Sequence, residues 1–326
     1  MIDSTLSTEK ITEVFGKSRQ AFYQMEKRRT REMIDSEILL VDVKCLRREQ
    51  PRLGTRKLYH LLAETQHMNG TKIGRDKFFT MLRDNNLLVK RRRKHVKTTD
   101  SVHLYKKYSN LIKDYVPSGP EQIFVSDITY LSVDCGFVYL SLVTDYYSKQ
   151  LMGYHVHPTL ETNGPLEALR MALKNRCYPE SKLIHHSDRG IQYCCNEYIQ
   201  MLEKHSIQIS MSAKGNPYEN AVAERVNGIL KSEYYLDRYF KNIEQVRQVV
   251  KETVPIYNKK RPHNSCGNLT PEQAHSRTGI LKKLWKNSKP KEKQKDLVPI
   301  SELVKQALAQ LFRKETVTPK MVLSPV

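Results

Sequence analysis

The sequence predicts an α/β protein, in which a mixed sheet carries helices on both faces and a basic, all-helical region precedes it. Three observations carry this reading. The first hundred residues form short helical patterns broken by Gly and Pro. From Pro120 the texture changes to β-branched runs, and then to alternating strand and helix signals. At 326 residues and 39% hydrophobic, the chain can bury a core and is long for one small domain.

The elements follow in order. Ser7 can cap a helix reaching Phe15, Gly16 breaks it, and Ser18 can cap a second helix through Tyr23 and Met25. Two short helices about a Gly turn suggest a helix-turn-helix. A longer pattern from Glu32 to Arg48 offers Ile34, Ile38, Val41 and Leu46 as core positions, and Pro51 and Gly54 end it. A second helix pair, Thr55 to Glu64 and Gly74 to Asn85, turns at Asn69-Gly70; an ordinary antiparallel pair fits the pattern as well. The run Lys90, Arg91, Arg92, Arg93, Lys94 then suits phosphate contact.

Beyond Pro120, Ile123–Val133, Gly136–Thr144 and Gln150–His157 read as an antiparallel meander with turns at Cys135-Gly136 and Tyr147-Ser148. A helix from Gly164 to Lys174 and a strand Leu183–His186 follow. A helix from Tyr198 to His205 and a fifth strand Ile207–Met211 come next, then helices Tyr218–Tyr235 and Ile243–Asn258. The resulting division is 1–95 helical and DNA-binding, 96–118 basic linker, 119–276 core and 277–326 basic tail. The tail includes Trp285 and an amphipathic stretch, Ile300–Phe312.

A formal charge of +20 and a pI near 9.6 point to a polyanionic partner, with nucleic acid the usual one. Six scattered cysteines without a C-x-x-C pair read as reduced thiols. His185-His186 and Cys194-Cys195 lack zinc-ligand spacing. No apolar run approaches the roughly 20 residues of a membrane span, and the N-terminus carries no leader pattern, so a cytoplasmic location is expected.

Three acids stand out by position. Asp127 lies inside the first strand, where an uncompensated charge costs several kcal/mol unless it is paired or holds a metal. Asp188 follows the fourth strand, at the strand end where ligand-binding groups collect in α/β sheets. Glu224 lies on a helix among small residues that allow close approach to the sheet. Carboxylates from separate elements suit hard divalent ions such as Mg²⁺. Two such ions can stabilise both the attacking and the leaving oxygen of a phosphoryl displacement. Asp188 also fits a turn and Glu224 a solvated helix charge. Glu219, Asp145 and Glu233 are rival ligands that spacing alone leaves open.

Thirty-five residues separate Asp188 from Glu224, and Lys231 follows Glu224 by seven, on the same helix face. With Asp127-Ile-Thr-Tyr, His186-Ser-Asp-Arg-Gly-Ile-Gln-Tyr, Gly215-Asn-Pro-Tyr-Glu-Asn-Ala-Val-Ala-Glu and Tyr257-Asn-Lys-Lys-Arg-Pro-His, these features form a set. The set resembles the Asp-Asp-Glu transposases of bacterial insertion sequences, the two-reading-frame group with a retroviral-integrase-like core. The resemblance departs at Phe124, where the family has Trp, and at Glu219, where it has Asp.

The resemblance implies a ribonuclease-H-like core with a five-stranded mixed sheet. It implies two Mg²⁺ ions on Asp127, Asp188 and Glu224, with Mn²⁺ expected to substitute. Lys231 would hold a phosphate, and His186, Arg189 and Asn220 would lie near the metals or DNA. The partners it implies are double-stranded element ends and target DNA, further copies of this chain, and an upstream-frame product as fusion or partner; the protein would be nucleoid-associated. Strand nicking and 3′-hydroxyl transfer is the implied reaction. A non-catalytic DNA-binding regulator and a ribonuclease-H-like nuclease are the alternatives.

Overall fold

The computed structural model describes residues 8–68, 73–90, 105–213 and 219–284. They all fall within one compact unit, Met1–Leu284. Ser7, the Asn69-Gly70 turn, Arg91–Lys94, Gly215–Tyr218 and the basic tail from Trp285 lie outside the described residues.

The described chain opens with α1 (Thr8–Val14) and α2 (Arg19–Glu49). Gly16 takes φ +59° between them, and Ser18 accepts from the Ala21 amide as the cap of α2. The helices expected on either side of residue 26 are in fact one. The intervening Glu26-Lys-Arg-Arg-Thr-Arg contains no breaker, so nothing stops propagation. The expected core face is also corrected. Ile34, Ile38 and Val41 are exposed, while Leu39, Leu40 and Val43 are buried. Those three pack with Leu53, Leu58 and Leu62 near and on α3 (Thr55–Met68), and with Phe78, Met81 and Leu82 on α4 (Arg75–Asp84).

The sheet comprises β1 (Ile123–Val133), β2 (Gly136–Asp145), β3 (Leu151–His157), β4 (Ile184–Ser187) and β5 (Gln208–Met211). Its strand order is β3-β2-β1-β4-β5. The first three strands form the expected antiparallel meander, and β4 joins β1 in parallel, as β5 joins β4. Because side chains alternate along a strand, Ile123, Val125, Leu131 and Val133 share one face of β1 and Phe124 looks to the other. The first face meets α8 (Ala221–Glu233) and α9 (Ile243–Lys260) through Ala223, Val226, Ile229, Leu230 and Val250. The second face meets α5 (Asn163–Lys174) and α7 (Asn196–Lys204) through Leu166, Leu169, Tyr198 and Leu202. This is a ribonuclease-H-like mixed sheet flanked by helices.

A one-turn helix, α6 (Ile191–Cys194), follows β4, and α10 (Pro271–His275) closes the described chain under a Thr270–Gln273 capping box. Residues 105–118, expected to be part of a linker, run against the sheet. The Leu111 amide donates to Ser210 Oγ at 2.9 Å, and Ile112 is buried beside Val125 and Ile184. No helix among the described residues is long and apolar enough to cross a membrane.

Candidate active site

The parallel pairing of β1 with β4 sets the site. Val125 is level with His186, so Asp127 and Asp188 each stand two residues further along adjacent chain segments. Alternation then puts Asp127 on the Val125 face, the one covered by α8. Two asparagines fasten α8 there. Asn220, just before its first turn, donates from Nδ2 to the Ser126 carbonyl at 3.2 Å. Asn227, one turn beyond Glu224, donates from Nδ2 to Asp127 Oδ2 at 2.7 Å.

Electrostatics follow from this packing. Burial pushes the Asp127 carboxyl up to about 7, and the charges of Asp188 and Glu224 add to the rise, while the Asn227 hydrogen bond opposes it. Asp188 is raised by burial and held by the Gly190 amide, which donates to its Oδ1 at 2.9 Å. Glu224 is exposed on the first turn of α8, where the helix dipole favours an acid. Lys231 Nζ sits 4.3 Å from the centre of the Tyr130 ring. Burial lowers its pKa, and the charge of Asp127 partly restores it.

The structure thus brings Asp127 on β1 and Asp188 just after β4 within electrostatic reach of each other, with Glu224 and Lys231 of α8 also within reach of Asp127. As a set, the three acids do not bring their ligand atoms within 4.8 Å of one another. Like charges facing each other repel, and the charges of Asp188 and Glu224 add to the rise that burial gives Asp127. An all-oxygen donor set short of positive charge fits a hard divalent cation.

The rival acids have other employment. Asp145 is fully buried and accepts from the Ser148 amide, the Ser148 hydroxyl and the Glu121 amide. Glu233 forms a two-pronged pair with Arg261 and a further one with Lys57. Glu219 is half-buried and accepts from the Ala213 amide at 2.5 Å. Among the described residues, Glu121, Cys177 and His275 form a compact group of metal-capable side chains. There, however, the Glu121 carboxylate already accepts from Arg176, from the Cys177 and Tyr178 amides and from the His275 ring.

The expected DNA contacts divide. Lys90 is exposed and Arg189 half-buried. His186 and Asn220 are buried, His186 with Nδ1 on Ser210 Oγ at 2.9 Å. Sequence reasoning missed Asn227, whose only local signal is a polar residue on the buried face of α8. It also missed Tyr193, whose buried hydroxyl lies within the electrostatic reach of both Asp127 and Asp188.

Residues 117–217 and 205–271 match two families described as integrase core domain. The chain is 35% identical over 267 residues to the insertion element IS600 uncharacterized 31 kDa protein of Shigella sonnei, covering 79% of this chain and 95% of that one. It is 37% identical over 194 residues to transposase InsF for insertion sequence IS3A of Escherichia coli, covering 59% and 67%. Among solved structures, the HTLV-2 integrase catalytic core domain in complex with magnesium aligns with a TM-score of 0.39 and 18% identity, over 49% of this chain and 99% of that one. The chain belongs to the insertion-sequence transposases built on an integrase core domain.

Proposed function

We propose that Asp127, Asp188 and Glu224 form the active site of a DNA transposase that nicks element ends and transfers the freed 3′-hydroxyl to a second phosphodiester. In nicking, water adds to phosphorus and the P–O3′ bond breaks, leaving a 3′-hydroxyl. In transfer, that hydroxyl takes the place of water, and a different P–O3′ bond breaks. One observation supports the assignment: Asp127 and Asp188 each follow, by two residues, the paired Val125 and His186 of adjacent parallel strands, and α8 is fastened to β1 there by Asn220 and Asn227.

The three carboxylates would hold two divalent cations, Mg²⁺ with Mn²⁺ as substitute. Such ions supply Lewis-acid stabilisation of charge at the reacting phosphate. Asn227 fixes the rotation of the Asp127 carboxylate, as a polar partner of a metal ligand does. Lys231, on the Glu224 face of α8, supplies a cation for a DNA phosphate. The helical residues 1–95 would bind element ends, with Lys90–Lys94 on the backbone, and residues 277–326 would form a separate basic tail. Joining two ends calls for more than one copy of the chain, and an upstream-frame product is a further candidate partner. Action on chromosomal DNA would place the protein at the bacterial nucleoid.

The test is cleavage of a duplex carrying the element's own end in Mg²⁺. Asp127→Asn, Asp188→Asn and Glu224→Gln should each bind the duplex and fail to nick it. Nicking by any of the three at the wild-type rate would remove that residue from the site.

A further inference from the structure

The C-terminus of α8 is closed by a segment from the helical region far earlier in the chain. The Arg52 amide donates to the Glu233 carbonyl at 3.1 Å. Lys57, in the first turn of α3, donates from Nζ to Glu233 Oε1 at 3.2 Å. Arg261 grips the same carboxylate from the other side, Nε to Oε2 and Nη2 to Oε1, both at 2.8 Å. The Arg261 side chain is 1% exposed, and those of Lys57 and Glu233 are 15% and 16% exposed. The seam continues outward, with Lys260 Nζ on Glu49 at 2.7 Å and the Arg52 guanidinium 5.8 Å from the Tyr235 ring centre.

A carboxylate in the last turn of a helix opposes the helix dipole, whereas cations there are favoured. Glu233 therefore gains nothing from its own helix, and its place is explained by the two cations it joins. A mostly buried ammonium is also a costly way to fill space, because an apolar side chain of similar length would pack there without desolvation. What the charge adds is directionality: it ties one helix end to one point on α3.

Helix α8 is thus fixed at three places, by Asn220 at its start, by Asn227 on Asp127 and by Glu233 at its end. Glu224 and Lys231 lie between the first and last of these, and Lys231 is only two residues from Glu233. We propose that Lys57 and Glu233 are positioning residues, and that residues 49–57 cap the catalytic helix so that its alignment depends on the helical region. The proposal rests on Glu224 and Lys231 acting in strand nicking and transfer. Through this joint, the seating of α3 sets where Lys231 and Glu224 stand.

Lys57→Met tests this in the full chain, because it removes the charge while leaving the Arg261–Glu233 pair in place. The variant should melt like wild type and bind the end duplex equally well in Ca²⁺. Its kcat for nicking in Mg²⁺ should fall about 10-fold at unchanged KM, as expected when a reacting geometry is loosened. Lys57→Arg should restore kcat. A wild-type kcat in Lys57→Met would overturn the proposal, as would a loss that tracks melting temperature and is not rescued by Arg. If wild type itself does not nick the duplex, it is the transposase site that fails.

Discussion

Asn227 and Asp127, a hundred residues apart, are joined by a 2.7 Å hydrogen bond that runs from α8 to the central strand. The bond does two things at once. It sets the rotation of a carboxylate that faces two other acids, and it fixes how α8 is turned over the sheet. Asn227→Ala removes both effects while keeping the helix intact. The expected outcome is a loss of roughly 10–100-fold in nicking rate or metal affinity, the usual cost of removing such a partner. A Mg²⁺ titration of single-turnover nicking would measure it. Asn227→Asp should be worse than Ala, because it adds a fourth acid where three already repel.

Asp127 also makes the metal-free protein sensitive to pH. Its carboxyl is raised to about 7 in the fold, against roughly 4 in an unfolded chain. Between those values the folded protein holds a proton that the unfolded chain has lost. The contribution of this group to stability is therefore fully present below about pH 4 and is lost as pH rises to 7. Divalent cations compete with that proton, so Mg²⁺ should raise the melting temperature more at pH 8 than at pH 5.5. In Asp127→Asn, the metal-free melting temperature should vary less across the same window. Equal Mg²⁺ stabilisation at both pH values would separate Asp127 from the cation site.

Much of this arrangement can be read from local pattern. The β-branched runs locate β1 to its ends, and alternation along it tells that Asp127 shares a face with Val125. The two corrections in α2 show where local pattern stops. Glu26–Arg31 offered no reason for a break, and Ile34, Ile38 and Val41 have helical spacing yet face outward, because a helix with two apolar stripes does not reveal which one is covered. The site was incomplete for the same reason. Asn227, like the Glu121 partner of Asp145 and the Lys57 partner of Glu233, is defined by contacts distant in sequence, and no periodicity encodes those.

The sheet's opposite face makes a separate demand at Gly153. A Cβ there would run into the Ala168 carbonyl oxygen and come to 2.7 Å from the Ala172 amide nitrogen, both backbone atoms of α5. Neither can yield without moving the helix off β3. Gly153→Ala should cost about 1–3 kcal/mol by overpacking, seen as a lower urea midpoint. Gly54→Ala is the control, since nothing lies within 4 Å of its added Cβ. If the two variants unfold at the same urea concentration, the close approach of α5 to β3 is wrong.

Asp145 offers the sharpest contrast with Asp127, because both are acids on the same sheet with raised pKa values. Asp145 spends its oxygens on three donors: the Ser148 amide at 2.6 Å, the Ser148 hydroxyl at 2.7 Å and the Glu121 amide at 2.8 Å. Those contacts fold the β2–β3 turn and hold Glu121 in place. Asp145→Asn sets an NH₂ group against at least one of these donors and should cost about 1–3 kcal/mol of stability. Its nicking rate per folded molecule should remain that of wild type, since the Asp145 carboxylate spends its hydrogen bonds on the β2–β3 turn and on Glu121. Asp127→Asn should do the reverse, relieving repulsion in the metal-free protein while abolishing nicking. Measuring both variants for unfolding and for single-turnover cleavage separates an acid kept for structure from one kept for chemistry. Loss of cleavage in a fully folded Asp145→Asn would return Asp145 to the list of metal ligands.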